Sequence, residues 1–369
     1  MKVIPVNLPG QDRSYQIVLD AGGRQRLGDH LSQLLPGRRL WLVSDTLVAR
    51  LYGQEIVDHL RAQGFQVELL TVARGERSKS WPVAARLIQQ LLAQGTDRGS
   101  ALVALGGGVV GDLTGFVAAL FMRGIPVVQV PTTLLAMVDA SIGGKTAINL
   151  PAGKNLVGAF QQPSLVLIDP EFLLTLPARE RRQGLAEVVK AGFIRDQGLL
   201  ELLAGPGRRL FGDRRLTDRD LLLEIVGRAA AIKATVVAAD EREGDLRRIL
   251  NFGHTLGHAL EKAAHFRLPH GEAVAVGMAA ALDLSAALTG LPTSAAREGK
   301  ELLTALGLPT QPPPLPEAEV LQALRVDKKK QGQHLVFVLL RRFGEALVQP
   351  DVPVALVAEW LRRNRVKEA

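Results

Sequence analysis

At 369 residues, 47% of them hydrophobic, the chain has an ordinary globular composition and enough length for two domains with separate cores. It contains no cysteine, which excludes disulfides, thiolate metal sites and cysteine nucleophiles and leaves His, Asp and Glu as the metal ligands on offer. The net charge of +8 invites a nucleic-acid partner, but its arginines are scattered and 4% aromatics are too few for a stacking platform, so no nucleic acid is expected.

A basic pocket for an anionic small molecule accounts better for the lysines, of which only Lys328-Lys329-Lys330 form a compact run. No apolar run approaches a membrane span and MKVIPVNLPG lacks a signal-peptide core, so a cytoplasmic location away from membranes is expected.

Short apolar runs at 39–44, 66–72, 101–105 and 127–130 read as buried strands, with helical patterns at 46–63, 81–94 and 109–121 between them. This alternation predicts an α/β domain with a Rossmann-like parallel sheet, whose ligands bind beyond the carboxyl ends of the strands. Past about Leu176 the pattern turns helical, at 185–194, 221–240, 249–263, 272–288 and 354–362. The expected organisation is therefore an α/β domain over 1–176 and a mainly α-helical domain over 177–369.

The strand at 101–105 runs into Gly106-Gly107-Gly108-Val109-Val110-Gly111-Asp112. Glycines at such a turn let the backbone approach a ligand, and the helix that follows offers free N–H groups and a positive dipole end to a pyrophosphate. Asp112, on the first helical turn, could accept a ligand hydroxyl. Three more polar segments end strands on the same expected edge. Asp45 and Glu76 suit ribose hydroxyls, and Thr132 and Thr133 suit a phosphate or amide. Any one of them alone reads as a helix cap, whereas four on one edge indicate a dinucleotide.

Gly144-Lys145-Thr146 echoes a phosphate-binding loop, but Ala140 stands where that loop needs glycine and no clear strand precedes it, so an ATPase is rejected. Lys145 and Lys154, flanked by glycines, still look like anion ligands.

In the second half, Glu187 and Lys190 lie three apart on one face of an apolar helix, where buried charges need partners. His254 and His258 lie one turn apart, and His270 follows. The expected helix puts Arg247, Asn251, His254 and His258 on one stripe, too polar to be core, so it must line a cavity. Two histidines and a glutamate holding zinc, with positions open for substrate, is the expected arrangement. Spacing leaves open which two histidines bind.

With these motifs in place, the chain resembles the 3-dehydroquinate synthase family from about Asp45 to Lys330. The resemblance rests on GERSKS, GGGVVGDLTGF, FMRGIPVVQVPTTLLAMVDASIGGKTAINL, GKNLVGAF, GLAEVVK, LNFGHTLGHALE and HGEAVAVGM. It implies NAD+ bound by Asp45, Glu76, Lys79, Gly107, Gly108, Val109, Val110, Gly111, Asp112, Thr132, Thr133, Asp139, Lys145 and Lys154, with Phe172, Leu173, Leu174 and Thr175 closing over it. It assigns Zn2+, with Co2+ as an alternative, to Glu187, His254 and His270, and makes His258 an acid–base residue.

Lys145, Asn155, Lys190, Lys233, Arg247, Asn251 and one lysine of the 328–330 run resemble the family's ligands for a phosphorylated sugar acid. Arg123 is similar to an arginine that enters a neighbouring subunit's site, which implies a homodimer. The implied reaction turns 3-deoxy-D-arabino-heptulosonate 7-phosphate into 3-dehydroquinate and phosphate, a step of the shikimate pathway to aromatic amino acids, with NAD regenerated. A metal-dependent polyol dehydrogenase would not need Lys145, Asn155, Lys190, Lys233 and Arg247 together. Another sugar-phosphate cyclase, making a valiolone or an inosose, would alter the substrate pocket.

Overall fold

The computed structural model describes residues 1–6, 13–213, 215–326 and 335–364. The chain divides into two compact units, 1–177 together with 233–241, and 178–232 together with 242–369.

The first unit opens with β1 (Lys2–Val6), β2 (Tyr15–Leu19) and α1 (Leu27–Leu34). Then come β3 (Leu40–Asp45), α2 (Thr46–Val48), a π-turn over Ala49–Gly53, α3 (Gln54–Ala62) and β4 (Val67–Val72). After α4 (Trp81–Ala93), β5 (Ala101–Gly106), α5 (Gly108–Leu120) and β6 (Val127–Pro131), the chain forms the hairpin β7 (Lys145–Leu150) and β8 (Gly153–Phe160) and returns through β9 (Leu165–Ile168).

Seven of these strands make one sheet in the order β1-β2-β9-β6-β5-β3-β4. The β1–β2 pair is antiparallel and the other pairings are parallel. β5, β6 and β9 are buried at every position, the mark of strands covered on both faces. The chain moves outward from β3 to β4 in one direction and from β5 to β6 in the other. The order therefore reverses between β3 and β5, and a ligand crevice opens at the carboxyl ends flanking such a reversal.

The predicted strands and helices of this unit are all present, but five strands were not anticipated. β1, β2 and β9 are short, and β7–β8 forms a hairpin that follows the Gly143-Gly144 turn.

The second unit holds α6 (Ala178–Arg195), α7 (Gln197–Leu202), α8 (Arg208–Gly212), most of α9 (Arg219–Ala239), α10 (His254–Ala263) and α11 (His270–Leu288). It continues with α12 (Thr293–Ala305), α13 (Glu317–Val326), the antiparallel hairpin β10 (Leu335–Arg342) and β11 (Glu345–Val352), and α14 (Val354–Asn364). The β10–β11 hairpin departs from the helical pattern of a unit that is otherwise mainly α-helical, as expected.

So does the stretch 249–263, which is not one helix. A 3-10 turn over Leu246–Asn251 ends at Phe252 (φ −55°, ψ 124°), and Gly253 in the left-handed region (φ 79°) restarts the chain as α10. Arg247 and Asn251 are thus on a separate element from His254 and His258, and the single polar stripe is corrected to two short segments. By length and composition α11 is apolar enough to cross a membrane, contrary to the sequence expectation, but 72% of its apolar window is buried among the helices of this unit.

Candidate nucleotide and metal sites

In the first unit, the parallel register of β3, β4, β5 and β6 brings their carboxyl ends to one edge of the sheet. The four polar segments read from the sequence therefore share that edge. Asp45 caps α2 through Oδ1, accepting from the Leu47 and Val48 amides at 2.8 and 3.1 Å, so its structural duty is real.

A side chain on Gly107 would put its Cβ 3.0 Å from Thr133 Cγ2, and α5 begins without a side-chain cap. A tight glycine turn beside a hydroxyl, leading into an uncapped helix start, fits a pyrophosphate. Burial raises the Asp112 carboxyl to about pH 6, against the opposing pull of the Lys79 ammonium beside it.

Several residues expected to meet ligand singly meet each other. Lys79 Nζ donates to Asp112 and, at 2.5 Å, to Asn155 Oδ1. Lys233 Nζ lies 2.5 Å from Asp139 Oδ1. Asn149, missed by sequence reasoning, ties these parts together. Its amide donates to the Lys79 carbonyl at 2.8 Å, its Nδ2 donates to Glu76 at 2.6 Å, and its Oδ1 accepts from the Asn155 amide at 3.0 Å. Asn155 itself is left-handed (φ 56°). No motif logic marks Asn149, because two of its three partners, Glu76 and Lys79, lie about 70 residues away in sequence.

Phe172 and Leu173 turn inward, 1% and 0% exposed, with the Phe172 ring edge-on to Tyr52 at 4.8 Å. Their side chains pack within the unit, which leaves Leu174 and Thr175 as the outward part of that turn. Arg123 is exposed and left-handed (φ 68°), beside Met122 in the same region (φ 50°).

The second unit gathers Glu187 from α6, His254 from α10 and His270 from the first turn of α11. Their candidate ligand atoms all lie within 4.8 Å of one another. His254 Nε2 and His270 Nε2 each stand 3.5 Å from the same oxygen, Glu187 Oε1, while the Lys190 ammonium pairs with Oε2. The carboxylate is 1% exposed and neither oxygen receives a well-aligned hydrogen bond. A buried carboxylate in that condition, with two imidazole Nε2 atoms gathered on one oxygen, fits a divalent ion of the zinc class.

Burial pushes the Glu187 carboxyl up, but Lys190, then His254 and His270, outweigh it and hold it well below the usual range. Burial, reinforced by Lys190, holds His254 well down, so its ring is neutral. Burial also opposes charge on His270, but the Glu187 and Glu261 carboxylates beside its two nitrogens overcome it and raise the ring to about 10.

His258 is exposed, with its ring 5.2 Å from that of His254, and Arg247 and Lys190 are buried at 1% and 3%. Asn251 Nδ2 donates to Glu243 at 3.2 Å. Lys328, Lys329 and Lys330 lie outside the described residues.

A profile described as 3-dehydroquinate synthase N-terminal matches residues 69–183, and one described as 3-dehydroquinate synthase C-terminal matches 184–330. A 3-dehydroquinate synthase from Synechococcus sp. is 46% identical, covering 97% of this chain and 98% of its own. Among solved structures, a 2-epi-5-epi-valiolone synthase from Streptomyces hygroscopicus subsp. jinggangensis 5008, with NAD+ and Zn2+ bound, superposes with a TM-score of 0.87 at 31% identity, covering 97% of this chain and 98% of that one. A 2-deoxy-scyllo-inosose synthase with carbaglucose-6-phosphate, NAD+ and Co2+ does so with a TM-score of 0.85 at 25% identity, covering 98% and 99%. Matched by both halves of the family's profile and at near full length by its curated members, this chain belongs to the 3-dehydroquinate synthase family.

Proposed function

We propose that the chain converts 3-deoxy-D-arabino-heptulosonate 7-phosphate into 3-dehydroquinate and phosphate. The observation that carries this reading is the buried Glu187 carboxylate with His254 and His270 aimed at one oxygen and Lys190 on the other, in a chain whose first unit presents a glycine turn and uncapped helix at a sheet reversal.

NAD+, held by Asp45, Glu76, Gly107 to Asp112, Thr132, Thr133 and Lys154, would take up a hydride and later return it. A zinc or cobalt ion on Glu187, His254 and His270 would acidify the alcohol to be oxidised. The chain's own groups do the rest. His258, exposed beside His254, would take the hydroxyl proton and give it back when the carbonyl is reduced again. Lys190 and Arg247, buried cations, would bind the substrate's carboxylate and oxygens, with Asn251 orienting a hydroxyl. Lys145, Lys233 and Asn155 would hold the phosphate and neutralise its charge as the C–O bond breaks and the neighbouring C–H loses its proton to the leaving phosphate. Ring opening and aldol closure then form the carbocycle with no net oxidation.

The experiment supplies trace NAD+ and Zn2+. Many equivalents of phosphate per NAD+ should be released from the heptulosonate phosphate with no accumulation of NADH, whereas conversion of that NAD+ to NADH without phosphate release would favour a polyol dehydrogenase.

The same reading includes a cytoplasmic homodimer. Its support is the exposed apolar surface of the first unit, with Leu156 at 53%, Phe160 at 45% and Trp81 at 53%, together with the outward Arg123. Mixing inactive Arg123→Ala with inactive His258→Ala chains should restore part of the activity if Arg123 serves the partner's site. No recovery on subunit exchange would count against it.

A further inference from the structure

We infer that Glu261 is a positioning residue for the metal centre: it accepts the Nδ1 proton of His270 and so fixes Nε2 as the donor atom. The inference rests on the metal site proposed above and extends it to a residue outside the ligand set.

Three observations carry it. Glu261 Oε1 lies 3.0 Å from His270 Nδ1, while the other nitrogen of that ring, Nε2, is the atom 3.5 Å from Glu187 Oε1. Glu261 is only 6% exposed, so it is a poor candidate for a solvated surface charge, and a buried carboxylate is placed at a cost that some interaction must offset. The second histidine is held in the corresponding way by a different acceptor, with His254 Nδ1 3.1 Å from the Phe252 carbonyl. Each ring thus spends Nδ1 on the protein and keeps Nε2 for the ion. A charged acceptor binds the Nδ1 proton more strongly than a carbonyl and makes the opposite nitrogen more basic.

The local fold explains how Glu261 reaches. It follows His254 by two turns on α10, so both fall on one face of that helix. Glycines let the backbones of α10 and α11 approach closely, since a Cβ on Gly257 would sit 3.1 Å from the Ala273 carbonyl oxygen. That closeness brings the start of α11, where His270 stands, against the Glu261 side chain.

The same atoms could be read as a second metal site, because His258, Glu261 and His270 also cluster within 4.8 Å. That site would claim His270 Nδ1 while the first claims Nε2, and a neutral imidazole has one lone pair to give. The acceptor role needs no such double use.

The test measures zinc affinity by chelator competition at fixed pH on the full chain, for wild type, Glu261→Gln and Glu261→Leu, alongside the visible spectrum of the Co2+-loaded forms. Glu261→Leu should bind one equivalent about 10- to 100-fold more weakly with a shifted cobalt spectrum, and Glu261→Gln, whose amide oxygen accepts the same proton, should recover most of the affinity. Unchanged affinity in both variants overturns the inference. So does a second zinc equivalent in wild type that disappears in Glu261→Leu, since that makes Glu261 a ligand. A chain in which His270→Ala binds zinc as tightly as wild type refutes the metal site itself, a result separable from the other two.

Discussion

Exchanging Glu187 for glutamine keeps the shape of the side chain and removes one charge from a place where charge is tightly balanced. Lys190 and Glu187 are 4% and 1% exposed at their side chains, so the ammonium would lose the carboxylate that compensates it. Breaking a buried pair from one side costs about 3–5 kcal/mol, because the remaining charge stays desolvated. At about 2–4 °C per kcal/mol for a unit of this size, the metal-free protein should melt roughly 6–20 °C lower. Adding Lys190→Met should return most of that loss, since the pair would then be replaced by an amide and an apolar side chain. Zinc binding should be lost in both, because Oε1 is the atom on which both Nε2 groups converge. Thermal melts in chelator, read with metal content after zinc loading, give the two quantities separately. A Glu187→Gln protein that melts with wild type would refute the energetic argument, and one that retains a tight zinc would refute the ligand assignment.

Gly277→Ala should cost about 3 kcal/mol or more and weaken zinc binding, because its Cβ would lie 1.9 Å from the Gly253 carbonyl oxygen, at the turn that launches His254. A melting point within a degree or two of wild type would contradict this. His254→Ala should lose the metal while His258→Ala keeps it and loses turnover, and equal metal loss in both would reassign the ligands. Since His270 titrates near 10 in the metal-free chain, its protonation stabilises the fold fully below about pH 6.5 and is lost as pH rises toward 10. Zinc must therefore displace a proton at neutral pH, and calorimetry in buffers of different ionisation enthalpy should show about one proton released. Asp112, raised to about 6, should lose its charge as pH falls through that value. NAD+ affinity should weaken below about pH 6 in wild type and lose that dependence in Asp112→Asn.

What was legible in the sequence followed how far apart the cooperating residues lie. The four strand ends and the glycine turn were readable because each is a local pattern, and a parallel sheet brings such ends to one edge whatever the intervening helices contain. Glu187 with Lys190 and His254 with His258 were readable as one-turn pairs. The error at Arg247 and Asn251 came from extending a helical period through Phe252 and Gly253, where one left-handed glycine resets the phase. Asn149 and Glu261 were unreadable for a different reason. Neither belongs to a periodic pattern with its partners, and each acts by completing the hydrogen bonds of residues that other elements deliver. The groups that touch a ligand carry a chemical signature in their type and spacing. The groups that aim them are ordinary polar residues whose meaning appears only when the backbone has closed, and Glu187, with one oxygen given to Lys190 and the other turned toward two imidazoles, depends on both kinds.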